Sequence, residues 1–138
     1  LIIAIFLFSK AKEQKSIAKL SFAPGLFNIN EPLIFGLPIV FNPYLLVPFV
    51  LVPLIALFVT YFSISMGFMS PFSAVQVPWT TPPIIAGFLL NGWQGAVVQI
   101  INLAISTAIY FPFVRAQDKP MLKEEQDELK EEQDKKEE

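Results

Sequence analysis

The sequence predicts an all-α membrane protein with two transmembrane helices and two re-entrant hairpins. Hydrophobic residues make up 54% of its 138 residues and charged residues 16%, whereas soluble domains carry about 25% charged residues. Glu31 is the one charged residue between positions 20 and 114. A water-soluble fold needs polar faces on most helices and strands, so this block excludes an ordinary soluble enzyme. It also excludes nucleic-acid binding, because no basic surface is available to meet phosphates.

The chain opens with an apolar run, residues 1–8, followed by a basic segment, residues 9–21, with four Lys and one Glu. The run is too short to cross a bilayer and lacks the basic start of a signal peptide. We interpret it as the end of a transmembrane helix in a fragment whose N-terminus lies inside a longer protein. The basic segment is either a short amphipathic helix, with Ile17 and Leu20 facing lipid, or a plain cytoplasmic loop.

Two uncharged runs, residues 44–69 and 96–114, are long enough to span a membrane, which takes about 20 apolar residues. Their internal prolines are tolerated in membrane helices when neighbouring groups satisfy the freed carbonyls. Two crossings return the chain to its starting side. The basic segment 9–21 and the basic flank that begins at Arg115 can therefore both lie in the cytoplasm, where Lys and Arg concentrate.

Two shorter apolar segments, residues 33–41 and 84–90, are bounded by prolines and asparagines. Proline removes a backbone donor and disfavours helix in the residue before it. Non-helical backbone at membrane depth occurs where protein or a watery cavity covers it. We therefore predict re-entrant hairpins over about 24–43 and 71–92, as at transporter binding sites. The alternative is a pair of buried loops.

The last segment, residues 115–138, is a charged tail with 6 basic and 10 acidic residues. It has almost no apolar face, which favours a mobile cytoplasmic tail over a solvated helix. We assign it no chemistry.

Neither Cys nor His occurs in the chain. The chain therefore offers no disulfide, thiol nucleophile or iron–sulfur site, and no imidazole base or usual zinc site. We predict no metal, no cofactor and no catalytic residue within it.

Glu31 is the most informative polar residue. A carboxylate near the bilayer centre is costly, so it normally faces a cavity and has partners. We expect Pro32 to keep Glu31 extended, while Asn28 and Asn30 supply amide groups beside it. This set suits a polyhydroxylated ligand, because each hydroxyl needs a partner once its water is removed. The alternatives are a Lys or Arg partner elsewhere in the protein, or a position among the lipid headgroups.

A second polar cluster surrounds Trp79. Its indole ring suits the apolar C–H face of a pyranose, while Gln76, Thr80 and Thr81 can bind hydroxyls. The alternative is that Trp79 is a residue of the membrane interface. Trp93, which directly precedes the second span, fits that interfacial role better.

Residues 24–43, PGLFNINEPLIFGLPIVFNP, resemble the signature of the membrane component (enzyme IIC) of bacterial phosphotransferase sugar permeases, in the lactose/cellobiose/diacetylchitobiose family. Residues 75–83 and 110–113 are similar to the C-terminal region of that family. The resemblance implies that residues 22–114 belong to a C-terminal transport domain with two oppositely oriented re-entrant hairpins. It also implies a multi-pass protein of the bacterial plasma membrane with a cytoplasmic C-terminus.

The resemblance further implies roles for individual residues. In the family, the glutamate of the Asn-Glu-Pro motif hydrogen-bonds the sugar near the hydroxyl that is phosphorylated, which corresponds to Glu31 with Asn30 beside it. The tryptophan of the second hairpin stacks on the sugar and corresponds to Trp79. The family also uses a histidine from an earlier segment and a dimerisation domain, neither of which this sequence contains.

The implied function is to bind a disaccharide such as cellobiose, lactose or diacetylchitobiose and move it into the cytoplasm, where IIB phosphorylates it. The expected partners are the sugar, IIB, indirectly IIA, membrane lipid and, in the full-length parent, a second copy. The chain itself is a permease component of the phosphotransferase system without a phosphorylated residue. Two other hypotheses are a proton-coupled secondary transporter in which Glu31 titrates, and a non-functional truncated membrane fragment.

Overall fold

The computed structural model describes residues 1–71 and 75–137, and over that part the chain is helical without strands. The predicted all-α class is therefore confirmed. Phe72, Ser73 and Ala74 of the second predicted hairpin, and Glu138 of the tail, lie outside the described residues. The elements are α1 (Ile2–Phe8), α2 (Lys12–Leu26), α3 (Glu31–Gly36), a 3₁₀ turn (Ile39–Phe41), α4 (Pro43–Ser65) and α5 (Pro83–Glu137).

Helices α4 and α5 each contain a stretch long and apolar enough to cross a membrane, by length and composition. α4 begins after Asn42, whose Oδ1 accepts a hydrogen bond from the Tyr44 N–H at 3.0 Å. It ends at Ser65, four residues before the predicted end of the first span at residue 69. The prediction missed the helix stop at Gly67, whose φ of 75° suits the left-handed turn that terminates many helices.

The two apolar helices run antiparallel. At one end, Leu45 of α4 shares a buried cluster with Val114 of α5. At the other end, the ring of Phe68, just beyond α4, lies 5.7 Å from the ring of Trp93 near the start of the long part of α5. The chain therefore leaves one end of the molecule along α4 and returns to the same end along the long part of α5.

A break at Gly92, with φ 60° and ψ −149°, divides α5 into a short arm, residues 83–90, and a long arm, residues 93–137. The backbones of Gly87 and Gly95 approach so closely that a Cβ on either would collide with the other residue's carbonyl. Eight residues of straight helix would separate these positions by about 12 Å. The short arm therefore folds back against the long one.

The long arm of α5 continues without a break from the apolar run into the charged residues and ends at Glu137. Residues 115–137 are therefore helical, so the prediction of a mobile tail is wrong here and the alternative of a helix is correct. Glu, Lys, Gln and Leu are good helix formers. Extending an existing helix needs no new nucleus, so the span supplies the start that the tail lacks by itself.

A buried cluster packs the short helices around the adjoining ends of α4 and α5. It draws on α1, α2, α3 and the 3₁₀ turn as well as on both long helices. Its members are Ala4, Ile5, Ala18, Leu33, Leu37, Ile39, Leu45, Tyr110 and Val114. The chain from α2 to the start of α4 therefore stays at one end of the helix pair.

Helix α2 settles the alternative for residues 9–21 in favour of a helix. The two side chains predicted to face lipid, Ile17 and Leu20, differ in their surroundings. Ile17 packs against the buried cluster and against the backbone of Gly36, so the prediction that it faces lipid is wrong. Leu20 is 76% exposed, so it remains open to solvent or lipid.

Asp118 joins the two charged flanks. Its Oδ1 accepts a hydrogen bond from the Ser9 hydroxyl, and its Oδ2 accepts one from the Lys10 N–H, both at 2.7 Å. Asp118 and Ser9 are buried. The segment that follows α1 and the charged part of α5 thus lie at the same end of the molecule.

Candidate functional site

The first half of the site is the turn that ends α2. Asn28 has a left-handed φ of 62°. The Asn28 N–H donates to the Gly25 carbonyl at 3.2 Å, and the Ile29 N–H donates to the Pro24 carbonyl at 3.1 Å. These two bonds form a Schellman motif, which closes a helix and redirects the chain. The redirected chain leads directly into the Asn-Glu-Pro sequence.

Glu31 is the first residue of α3, not part of an extended segment. The prediction from Pro32 is wrong, because a proline in the first helical turn gives up an N–H that has no partner within the helix. Asn30 is the N-cap residue, and its carbonyl accepts the first two helical hydrogen bonds. The Glu31 carboxylate therefore starts a helix, where negative charge is favoured, and its side chain is exposed.

The second half of the site is a tight turn around Trp79. The Thr81 N–H donates to the Pro78 carbonyl at 3.0 Å, which places Trp79 and Thr80 at the tip of the turn. The Trp79 side chain is 71% exposed. Its ring is therefore available for stacking against a ligand.

Asn28 connects the two halves across about 50 residues of sequence. Its Nδ2 donates to the carbonyl of Trp79 at 2.7 Å and to that of Thr81 at 2.9 Å. Carbonyls only accept hydrogen bonds, so the amide must present its nitrogen to them. The Asn28 amide, which the sequence predicted to serve a ligand, therefore uses its two N–H groups within the protein.

Six of the seven predicted site residues belong to these joined turns. The Asn30 amide donates to the Asn28 carbonyl at 3.2 Å, which tightens the first turn beside Glu31. The seventh residue, Gln76, is exposed and precedes the second turn. Among the described residues, no hydrogen bond links Gln76 to either turn. The joined residues are Asn28, Asn30, Glu31, Trp79, Thr80 and Thr81.

A groove of about 740 Å³ between α4 and α5 was not predicted from the sequence. It is mostly apolar, but Thr60, Gln99, Asn102 and Ser106 place polar groups along it. The Asn102 amide donates to the Thr60 hydroxyl at 3.2 Å. Gln99, Asn102 and Ser106 lie at i, i+3 and i+7, and this spacing in the sequence indicates that they share one face of α5. Such a polar face within an apolar helix is typical of contacts between membrane helices.

The described residues contain no group of three or more acidic residues placed to hold a metal ion. The chemistry that the two joined turns offer is hydrogen bonding by a carboxylate, amides and hydroxyls beside an open indole ring. The fold and site define an all-α protein with two helices apolar enough to cross a membrane, in which an asparagine-containing turn and a proline-rich turn converge.

Comparison with known proteins identifies a family within this class. Residues 1–53 match the family model described as "Phosphotransferase system, EIIC". The lichenan permease IIC component of Bacillus subtilis is 47% identical over 129 residues, covering 92% of this chain and 28% of the relative. The cellobiose-specific EIIC component of Lactococcus lactis is 46% identical over 121 residues, covering 86% of this chain and 24% of the relative.

The fold comparison agrees with the sequence comparison. The crystal structure of the transporter ChbC, the IIC component from the N,N'-diacetylchitobiose-specific phosphotransferase system, superimposes with a TM-score of 0.86 at 41% identity. The match covers 91% of this chain and 29% of that structure. The chain belongs to the enzyme IIC family of phosphotransferase-system membrane components, and it spans less than a third of the length of these relatives.

Proposed function

We propose that the chain is the part of a phosphotransferase-system permease that binds a disaccharide and carries it into the cytoplasm. The junction of the Glu31 and Trp79 turns through Asn28 is the observation that carries the proposal. It brings a carboxylate, amides, hydroxyls and an exposed indole ring into one neighbourhood. The names of the relatives, which include cellobiose and lactose permeases, favour cellobiose, lactose or diacetylchitobiose as the sugar.

The proposed division of labour follows from the chemistry of the side chains. The Glu31 carboxylate accepts hydrogen bonds from sugar hydroxyls, and Asn30, Thr80 and Thr81 supply further polar groups. The Trp79 ring packs on the apolar face of a pyranose. Gln76, which precedes the second turn, supplies a further amide group.

The proposed setting is a bacterial plasma membrane, with α4 and the apolar part of α5 crossing the bilayer. The turns around Asn28 and Trp79 then form the tips of two re-entrant hairpins that enter from opposite sides. Lys and Arg concentrate on the cytoplasmic side, which assigns the end containing α2 and Asp118 to the cytoplasm.

The proposed partners are IIB and, through IIB, IIA. The sugar enters from outside, a rigid-body movement of the transport domain exposes it to the cytoplasm, and IIB transfers a phosphoryl group to it. The chain contributes binding and positioning, since it has neither Cys nor His to carry that group. A homodimer of the complete permease is part of the same proposal.

Sugar binding by the chain in lipid nanodiscs tests the site. We expect Glu31→Gln to weaken the affinity for cellobiose about tenfold or more, because hydrogen bonds to a charged group contribute about 1.5–3 kcal/mol. Trp79→Ala should weaken it through loss of the stacking surface. The matched controls are Glu13→Gln and Trp93→Phe, measured by isothermal titration calorimetry. Wild-type affinity in both site variants would refute the assignment.

A proton-coupled secondary transporter is the second candidate, favoured by the single charged residue between positions 20 and 114. Uptake into vesicles that carry the permease with the soluble phosphotransferase components separates the two. The proposal expects uptake that needs phosphoenolpyruvate and survives a protonophore. Uptake without phosphoenolpyruvate that a protonophore abolishes would favour the second candidate.

A further inference from the structure

Asn28 occupies a position where the backbone favours glycine. It is the left-handed residue of the motif that ends α2, with a φ of 62°. The equivalent residue at the end of α4 is Gly67, where the Phe68 N–H donates to the Ser63 carbonyl at 3.1 Å. Asn is accepted there less readily than Gly, which has no Cβ to strain. Asn is nevertheless the commonest residue after Gly in such turns, so the backbone accepts Asn28 without requiring it, and the contacts of its side chain are what distinguish it from glycine.

The Asn28 side chain binds the carbonyls that flank the tip of the second turn. Its two N–H groups reach the Trp79 carbonyl at 2.7 Å and the Thr81 carbonyl at 2.9 Å. One planar amide thus fixes two points of a turn that is itself closed by the bond from Thr81 to Pro78. A carboxylate of the same shape has no N–H groups to offer these carbonyls.

We infer that Asn28 is a positioning residue: it holds the indole ring of Trp79 in register with the Glu31 carboxylate, three residues further along its own turn. This inference rests on the proposed function, in which both groups contact one sugar. A site whose two halves are already fixed loses less conformational freedom when the ligand binds. The contribution of Asn28 to affinity is therefore indirect and passes through Trp79.

Two variants separate the side chain from the backbone. Asn28→Gly deletes the amide but keeps the residue best suited to the left-handed turn. Asn28→Asp keeps the shape and replaces both N–H groups by an oxygen that faces two carbonyls. Asn42→Asp is the matched control, because Asn42 uses its Oδ1 as an acceptor for the Tyr44 N–H and Asp retains that acceptor.

The experiment uses the full chain in lipid nanodiscs with Trp93→Phe, so that Trp79 is the single tryptophan. Fluorescence anisotropy reports the mobility of Trp79 without sugar. Titration with cellobiose, lactose and diacetylchitobiose reports affinity. We expect both Asn28 variants to lower the Trp79 anisotropy and to weaken sugar binding about tenfold, as for two lost neutral hydrogen bonds. The control should change neither value, and circular dichroism should show wild-type helix content in all variants.

The possible results distinguish this inference from the proposed function. Unchanged Trp79 anisotropy in both Asn28 variants overturns the inference. If affinity nevertheless falls, Asn28 contacts the sugar directly through its Oδ1. If the wild-type chain binds none of the three disaccharides, but both variants still loosen Trp79, the proposed function fails while the link between the turns stands.

Discussion

Gly92 shows at the scale of one residue how the fold-back of α5 depends on backbone conformation. Its φ of 60° and ψ of −149° lie in a region that residues with a Cβ avoid. A Cβ at this position would meet no atom within 4 Å, so a substitution acts through the backbone and not through a clash.

We predict that Gly92→Ala destabilises the chain by about 1–3 kcal/mol, the cost of holding a non-glycine residue in such a conformation. Equilibrium unfolding in mixed detergent, followed by circular dichroism, measures the loss. Gln94→Ala, a substitution two residues further along, is the control and should stay close to wild type. Equal stability of Gly92→Ala and wild type would show that the fold-back does not need this conformation.

Single residues also mark the limit of what the sequence could predict. Glu31 and Trp79 stood out because a carboxylate and an indole beside prolines are unusual in an apolar chain. Asp118 did not, because it is one of many acidic residues in the tail. Its importance comes from hydrogen bonds to Ser9 and Lys10, more than 100 residues earlier. Neither composition nor local pattern contains a pairing of that range.

At the scale of elements, the apolar runs predicted which segments become the long helices, but not where those helices end. α4 ends at Ser65, and this end was readable from Gly67, because a glycine just after an apolar helix is a common C-terminal signal. The helical course of residues 115–137 was not readable from their composition, since it depends on continuity with the span before them.

The contact between α5 and the segment that joins α1 to α2 is a second element-scale feature with a measurable consequence. Asp118 is buried and accepts two hydrogen bonds from the segment between α1 and α2. We predict that Asp118→Asn destabilises this contact by about 1–3 kcal/mol, because an amide cannot accept hydrogen bonds on both sides and leaves a buried donor unpaired.

Hydrogen exchange of the Lys10 amide checks this prediction directly, because that N–H donates to the Asp118 carboxylate at 2.7 Å. Its exchange should accelerate in Asp118→Asn. Asp127→Asn, at an exposed position of the same helix, is the control and should leave the exchange unchanged. Wild-type protection of Lys10 in Asp118→Asn would mean that packing alone holds the two segments together.

At the scale of the whole molecule, the arrangement follows from two pairs of contacts at opposite ends. Asp118 meets the segment after α1 at one end. Phe68 meets Trp93 at the other. The short elements from α2 to the 3₁₀ turn remain at the first end, because they share one buried cluster with the start of α4 and with Val114. The two halves of the site come from segments about 50 residues apart in the sequence, so local sequence patterns could not predict that they meet.

This arrangement predicts a two-crossing topology that cysteine labelling can test, because the chain contains no cysteine of its own. Lys19→Cys and Lys123→Cys lie on the charged end, while Ser70→Cys lies beyond the opposite end of α4, and all three positions are exposed. If the charged end is cytoplasmic, a membrane-impermeant maleimide added to intact spheroplasts should label residue 70 and spare residues 19 and 123. All three should react after permeabilisation. Different accessibility of residues 19 and 123 would require a third crossing, which the contact of Asp118 with Ser9 and Lys10 does not allow. The reverse pattern, with residue 70 protected and the other two labelled, would keep the two crossings but invert the orientation, and would contradict the proposed cytoplasmic position of the charged end.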